Sequence, residues 1–292
     1  MADGADGYFP PGSVLRRVHA ERAVGLLYGQ RALAIEAIAP LNFIGTRLHT
    51  RAPERPFQRL ARTGKMFESI FFGSRAEADS VLAMVHGMHE GVHGTLPEDA
   101  GSFAAGTPYS AFDPEQMLWT IAVAADSAKV FYELFVGRLS ADARDSLWRD
   151  YLRFGELFGM PPAVAPRSWA EFHEYFDGRL RDSDAHLTEA ARYTGMAIMF
   201  EIPVPALNAP AMKVHNLIML GALPAPVRRL YGLGYTPTQA AAFRVAVAGL
   251  RMPRPLTPGA MRRGRNTRFF DQVAGTERDR IARGRPTTAL PA

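Results

Sequence analysis

Apolar residues along this chain recur three and four positions apart and do not alternate over any convincing stretch, so the pattern predicts helices and no sheet. The first apolar helical region begins at Ser13, Val14 and Leu15, takes in Val24, Leu26 and Leu27, and stops at Pro40. Gly45 to Pro56 reads as a loop, because Pro53 and Pro56 break any helical run there. A helix over 57–72 ends at Gly73, and Ser74 caps the next one, with Glu77 completing a capping box. That next helix is predicted to run to about His93 and to stop at Gly94. Thr95 to Phe112, rich in Gly, Pro, Ser and Ala, is predicted to be an ordered loop or lid.

Asp113, followed by Pro114 in the first turn and by Gln116, is the strongest helix start in the chain, and its helix continues to about Val136. Further helices are expected over 140–159, 169–184, 184–200, 212–220, 224–231 and 236–250, with Pro203, Pro205 and Pro210 marking a break. After Pro253 the Arg- and Pro-rich sequence is expected to fray. The resulting expectation is an all-α, single multi-helix globular domain over 13–250 and a basic, partly disordered C-terminal tail over 251–292.

Length and composition agree with this: 292 residues, 47% hydrophobic and 22% charged, suffice for one large core or two small ones and exclude disorder for most of the chain. No apolar run approaches the roughly 18–20 residues that span a bilayer. Met1 to Gly12 lacks the cationic start and apolar stretch of a secretory signal, so a soluble, cytoplasmic protein is expected. The absence of cysteine removes disulfides, zinc–thiolate sites, iron–sulfur clusters, cysteine nucleophiles and thiolate- or thioether-held haem. A metal must then use His, Asp, Glu or Tyr.

The net charge of +5 resides in the tail. Ten arginines lie between Arg251 and Arg285, against Asp271, Glu277 and Asp279, and the remainder is close to neutral. With Phe269 and Phe270 in it, the tail reads as a solvated extension, or as a segment that touches RNA or makes peripheral contact with an anionic membrane. For the folded body no nucleic-acid partner is expected.

Three helices carry unusual residues. His86, His89 and His93, spaced i, i+3, i+7, would fall within about a 60° arc beside Leu82, Val85 and Val92, with His89 nearest the middle. Such a set is either a group of core histidines or a source of metal ligands. Arg59, Arg62, Thr63, Met66 and Ile70 share one stripe of the preceding helix. Two arginines in an apolar stripe need an anion, which is either an internal Asp or Glu or the carboxylate or phosphate of a ligand. On the helix that begins at Asp113, Trp119, Val123, Asp126, Ser127 and Val130 share a face, where Asp126 is either an orienter for a histidine or Arg59, or a plain buried ion-pair partner.

These residues belong to an ordered series of segments: Ser13-Val14-Leu15-Arg16-Arg17, Arg59-Leu60-Ala61-Arg62-Thr63, Phe72-Gly73, His89-Glu90-Gly91-Val92-His93-Gly94-Thr95-Leu96 and Pro108-Tyr109-Ser110-Ala111-Phe112-Asp113-Pro114. Leu118-Trp119, Asp126-Ser127, Phe135-Val136-Gly137, Leu157-Phe158-Gly159-Met160-Pro161 and Leu230-Tyr231-Gly232-Leu233 follow. The series, over roughly 13–250, resembles the family that unites bacterial rubber oxygenases (latex clearing proteins) with the fungal MpaB oxygenase of mycophenolic acid biosynthesis.

The resemblance implies an all-helical fold enclosing a haem b pocket, a histidine as proximal iron ligand, and oxidation of an apolar small molecule by dioxygen. Characterised relatives cleave olefinic bonds in isoprenoid chains. His89 matches the proximal ligand, and Arg59 and Thr63 match polar residues near the haem that a propionate would use. A haem would also meet both odd stripes, since it offers iron to the imidazole and anions to Arg59 and Arg62.

The departures from the family pattern concern the distal side. Arg62 stands where rubber oxygenases have a lysine that can cap the iron, and a guanidinium does not give up its proton to do so. Lys65, almost one turn on, is the alternative amine. Ala39-Pro40 replaces the His-Pro of many relatives, and for the family's glutamate base the candidates are Glu36 and Glu68. The expectation is therefore a haem-dependent oxygenase, and the reading set against it is a haem carrier or sensor without turnover. A third reading places a non-haem metal on His86, His89 and His93.

Overall fold

The computed structural model describes residues 6–50, 52 and 55–285. The chain is 68% helical, and the described residues form fourteen α-helices and one small sheet. In order these are α1 (Val14–His19), α2 (Arg22–Glu36), α3 (Pro40–Leu48), α4 (Pro56–Phe72), α5 (Arg75–Glu90), β1 (His93–Thr95), β2 (Pro108–Ser110), α6 (Pro114–Phe135) and α7 (Ala141–Leu157). There follow α8 (Trp169–Arg179), α9 (Glu189–Phe200), α10 (Ala209–Ala222), α11 (Ala225–Leu230), α12 (Pro237–Arg251), α13 (Gly259–Arg262) and α14 (Thr267–Ala282).

The fold is built around α6. Asp113 accepts from the Gln116 amide at its N-terminus, and Pro114 occupies the first turn, where its missing N–H costs nothing. Most of its length is buried, from Leu118 and Trp119 through Ala122, Ala125 and Ala128 to Phe131. The alanines let α2 lie close along it, with its own Ala32 and Ala34 buried. One buried ion pair crosses that seam: Arg31 Nη1 lies 2.8 Å from Asp126 Oδ2. The same guanidinium donates to Ser127 Oγ and, from Nε, to the Ala222 carbonyl of α10, each at 2.8 Å. An opposite charge together with further hydrogen bonds is what makes a buried charge tolerable.

Besides shorter-range shifts at α3, which runs to Leu48, and between α8 and α9, which end and start at Arg179 and Glu189, four boundaries differ from the sequence expectation. Pro40 opens α3 instead of ending a helix, because proline at the first helical position needs no acceptor for an amide it lacks. Helix α5 ends at Glu90 with Gly91 as its cap, and His93 lies in β1, which pairs antiparallel with β2 (His93 opposite Ser110, Thr95 opposite Pro108). The segment expected to be an ordered loop or lid is accordingly a loop over 96–107 closed at its base by a hairpin, whose strands are too short for an alternating pattern to show. The tail also departs from the fraying or solvated extension expected of it: residues 267–282 form α14 and lie along α4. Residues 286–292 lie outside the described residues.

The α4–α14 contact rests on two reciprocal caps. Neither helix has a side-chain cap at its own N-terminus. Glu277, fully buried on α14, accepts from the amides of Phe57 (3.0 Å) and Gln58 (2.7 Å) in the first turn of α4. Glu68 of α4 accepts from the Asn266 amide (2.5 Å) and the Thr267 hydroxyl (3.2 Å) where α14 begins. Each carboxylate thus sits at the positive end of the other helix. Gly64 makes the approach possible, since a Cβ there would lie 2.8 Å from the Phe270 ring. Glu21, pairing with both Arg254 (2.7 Å) and Arg263 (3.0 Å), fixes the segment leading to α14.

His19 marks the driest part of the core. It lies 2.7 Å from Tyr151 Oη and against the rings of Tyr28 and Phe71, and burial lowers its pKa to about 3.

Two stability predictions follow. Replacing Glu277 with Ala strands two first-turn amides and should cost about 1–3 kcal/mol in urea unfolding. For His19 the unfolded chain binds a proton below about pH 6.5 while the folded chain resists until about pH 3, so stability present at neutral pH is lost as pH falls through that window. The loss is on the order of 4 kcal/mol over the full window, and His19→Gln should flatten the acid limb of stability against pH.

Candidate functional site

The C-terminal half of α2, the first turns of α4 and the last turn of α5 meet around Glu36, Arg59 and His89. Helix α4 starts at Pro56, so Arg59 sits in its first turn, and Arg62 and Thr63 follow one turn on. Helix α5 delivers His89 next to its C-cap Gly91.

Arg59 presents solvent-accessible surface, yet its guanidinium pKa is lowered by burial, with Glu36 opposing the shift and Arg62 adding to it. Glu36 is likewise partly accessible, and burial pushes its carboxyl up. Glu36 and Arg59 thus keep some surface in solvent while the elements around them desolvate their charged groups. His89 is half-buried, within reach of the Arg59 charge. Its pKa is lowered, first by burial and then by the charges of His86 and Arg59, so the ring is neutral at pH 7. Neither of its ring nitrogens has a hydrogen-bond partner among the described residues, and its ring lies 6.2 Å from that of Phe112 and 6.4 Å from that of Phe158.

Glu36 is held by a short relay. Thr120 of α6 donates to its Oε1 at 2.5 Å, and Asn42 of α3 reaches the same oxygen at 3.5 Å while donating to the Gln116 carbonyl at 3.0 Å. Arg59 in turn donates to Thr50 Oγ1 at 2.5 Å. Asn42 and Thr50 were missed in the sequence because α3 was not expected there. Phe112 and Phe158 stood in the segments that carried the resemblance, but nothing in their spacing placed them beside His89.

Several sequence candidates are brought together and others are not. Arg59, Arg62, Thr63 and His89 do fall on α4 and α5, two neighbouring helices. His86 is exposed and 4.0 Å from Glu90, and His93 is exposed on β1, so the three histidines do not share a helix face. Among the described residues no three His, Cys, Asp or Glu side chains are grouped to hold a metal ion, and the non-haem three-histidine reading is set aside on the position of His93. Lys65 does not join this group but pairs with Asp271 of α14. Glu68 caps α14, which leaves Glu36 as the carboxyl beside Arg59. Asp126 orients no histidine, since its partner is Arg31.

Residues 16–252 match the family model described as "ER-bound oxygenase mpaB/B'/Rubber oxygenase, catalytic domain". The chain belongs to the mpaB/rubber oxygenase catalytic-domain family. No curated protein and no solved structure matches it. Membership of an oxygenase family implies a substrate and oxygen as partners, and the family is haem-related. The matched stretch contains α2, α4 and α5 entire and stops before α14.

The donor set suits the cofactor of a haem-related family. A neutral imidazole with unpartnered nitrogens is a ligand for iron, and two guanidiniums on the adjacent helix suit propionates. The electrostatic link between the two helices is measurable: Arg59→Leu removes a cation that lowers the His89 pKa, so the His89 ring should titrate nearer 6.5 in an imidazole NMR titration, while its burial keeps it below that value.

Proposed function

We propose that the protein is a haem b-dependent oxygenase that oxidises an apolar small molecule, such as an isoprenoid or lipid, with molecular oxygen. The observation that carries this reading is His89: a half-buried, unpartnered imidazole close enough to Arg59 for that charge to lower its pKa, within a chain of an oxygenase family. Bound haem would supply the iron centre at which dioxygen is activated. His89 would hold the iron through a ring nitrogen, and its lowered pKa keeps that nitrogen unprotonated at neutral pH. Arg59 and Arg62 would bind the propionates, with Thr63 beside them on α4. The rings of Phe112 and Phe158 give the imidazole an apolar flank.

Glu36 gives the site a carboxyl whose pKa lies above the usual range. Its Oε1 is engaged by Thr120 and Asn42, so Oε2 is the atom at which a proton would be held or released near Arg59. Cleavage of a C=C bond is the finer form of the proposal, in line with what the resemblance implies.

The test is an absorption spectrum of purified protein before and after dithionite and carbon monoxide. A Soret band is expected, and His89→Ala should lose most of the haem with unchanged far-UV circular dichroism. Full haem content in that variant would overturn the ligand assignment. Oxygen uptake that depends on an added isoprenoid distinguishes the oxygenase from a carrier or sensor, which would give a stable oxygen complex and no uptake.

A further inference from the structure

Between Glu201 and Asp271 the sequence contains no acidic residue, while Lys213 and nine arginines fall within it. Eight of the twelve large hydrophobic side chains that the described residues leave exposed belong to the same stretch, among them Val245 (72% exposed), Met252 (78%), Leu256 (89%) and Met261 (67%). The coincidence is concentrated at α12 and α13. Helix α12 has no buried residue, and its Ala241, Arg244, Val245, Ala248 and Met252 form one exposed stripe at helical spacing. The opposite side of α12 sets Phe243 against Gly221 of α10. Some of the cations are already used: Arg254 and Arg263 are neutralised by Glu21. Arg244 and Arg251, in contrast, form no ion pair among the described residues, and both are exposed.

A surface that combines unpaired guanidiniums, no carboxylate and protruding aliphatic chains calls for a partner that is negative and also receives alkyl groups. Phosphate backbones of nucleic acids meet the first condition but give no reward to Leu256 or Met261, and stacking aromatics are sparse here. Anionic phospholipid meets both, through its headgroups and the acyl boundary beneath them. We propose that residues 237–262, the α12–α13 segment, dock on the surface of an anionic lipid bilayer. The contact is peripheral, since among the described residues no helix is long and apolar enough to cross a membrane. The proposal uses neither Glu36, Arg59 nor His89 and is independent of the cofactor.

The purified full chain is mixed with vesicles of pure phosphatidylcholine or of phosphatidylcholine with about one-third phosphatidylglycerol, and co-sedimentation is measured. Binding to the anionic vesicles is expected to be at least about tenfold tighter than to the neutral ones and to weaken with salt. Arg244→Gln with Arg251→Gln, and separately Val245→Ser with Leu256→Ser, should each weaken it by about tenfold or more while far-UV circular dichroism stays unchanged, since all four side chains are exposed. Leu256→Trp should give an indole emission that shifts to the blue on anionic vesicles. Equal binding to neutral vesicles, no binding, or a serine pair that binds like the parent would overturn the proposal. An RNA oligomer that binds more tightly than the anionic vesicles and displaces the protein from them would overturn it in favour of a nucleic-acid partner.

Discussion

A helix needs acceptors for its first amides, and α4 takes its acceptor from a residue 220 positions away in sequence. Everything at the candidate site hangs on that exchange, because the turn that Glu277 caps is the one that carries Arg59. The return cap from Glu68 to the start of α14 makes the arrangement mutual, so neither helix can shift without leaving buried amides unpaired. The matched family region ends at 252, before α14 begins, yet a side chain beyond it completes the N-terminus of α4. The folded unit is therefore larger than the family domain.

Burial acts in one direction across the candidate site. It raises Glu36, lowers Arg59 and lowers His89, in each case favouring the uncharged form. Glu36 and Arg59 oppose these shifts in one another, while Arg59 reinforces the shift at His89. An imidazole is thus kept neutral by its neighbours and not by a hydrogen bond to either nitrogen. Elsewhere the protein treats buried charge differently. Arg31 and Asp126 form a buried pair whose guanidinium also donates to Ser127 and to the Ala222 carbonyl, a structural seam between helices.

The two ends of the basic stretch also play different parts. Around Glu21 and α14 its arginines are paired to a buried carboxylate and its glutamate is internal, and these contacts hold the fold together. Around α12 and α13 they lie outside, among aliphatic side chains that no other element covers. A single compositional bias thus serves two purposes, separated by which residues find carboxylates within reach.

Local chemistry was legible in the sequence. Ser74 with Glu77, Asp113 with Pro114, and the glycine after Phe72 act within a turn of the chain, so the end of α4, the starts of α5 and α6 and the helical class could be read directly. The placing of Arg59, Arg62 and Thr63 on one helix and His89 on the next was legible for the same reason. What the tertiary structure alone decided was pairing over distance. Whether Asp126 met Arg31 or Arg59, whether Glu68 or Glu36 stood at the site, and whether Lys65 turned toward it depended on neighbours many positions away, as did the folding of the tail onto α4. Composition made that tail look soluble and frayed, since its few acids were outnumbered. The position of Glu277 opposite two bare amides outweighed the count, because one buried cap holds a helix that net charge cannot dislodge.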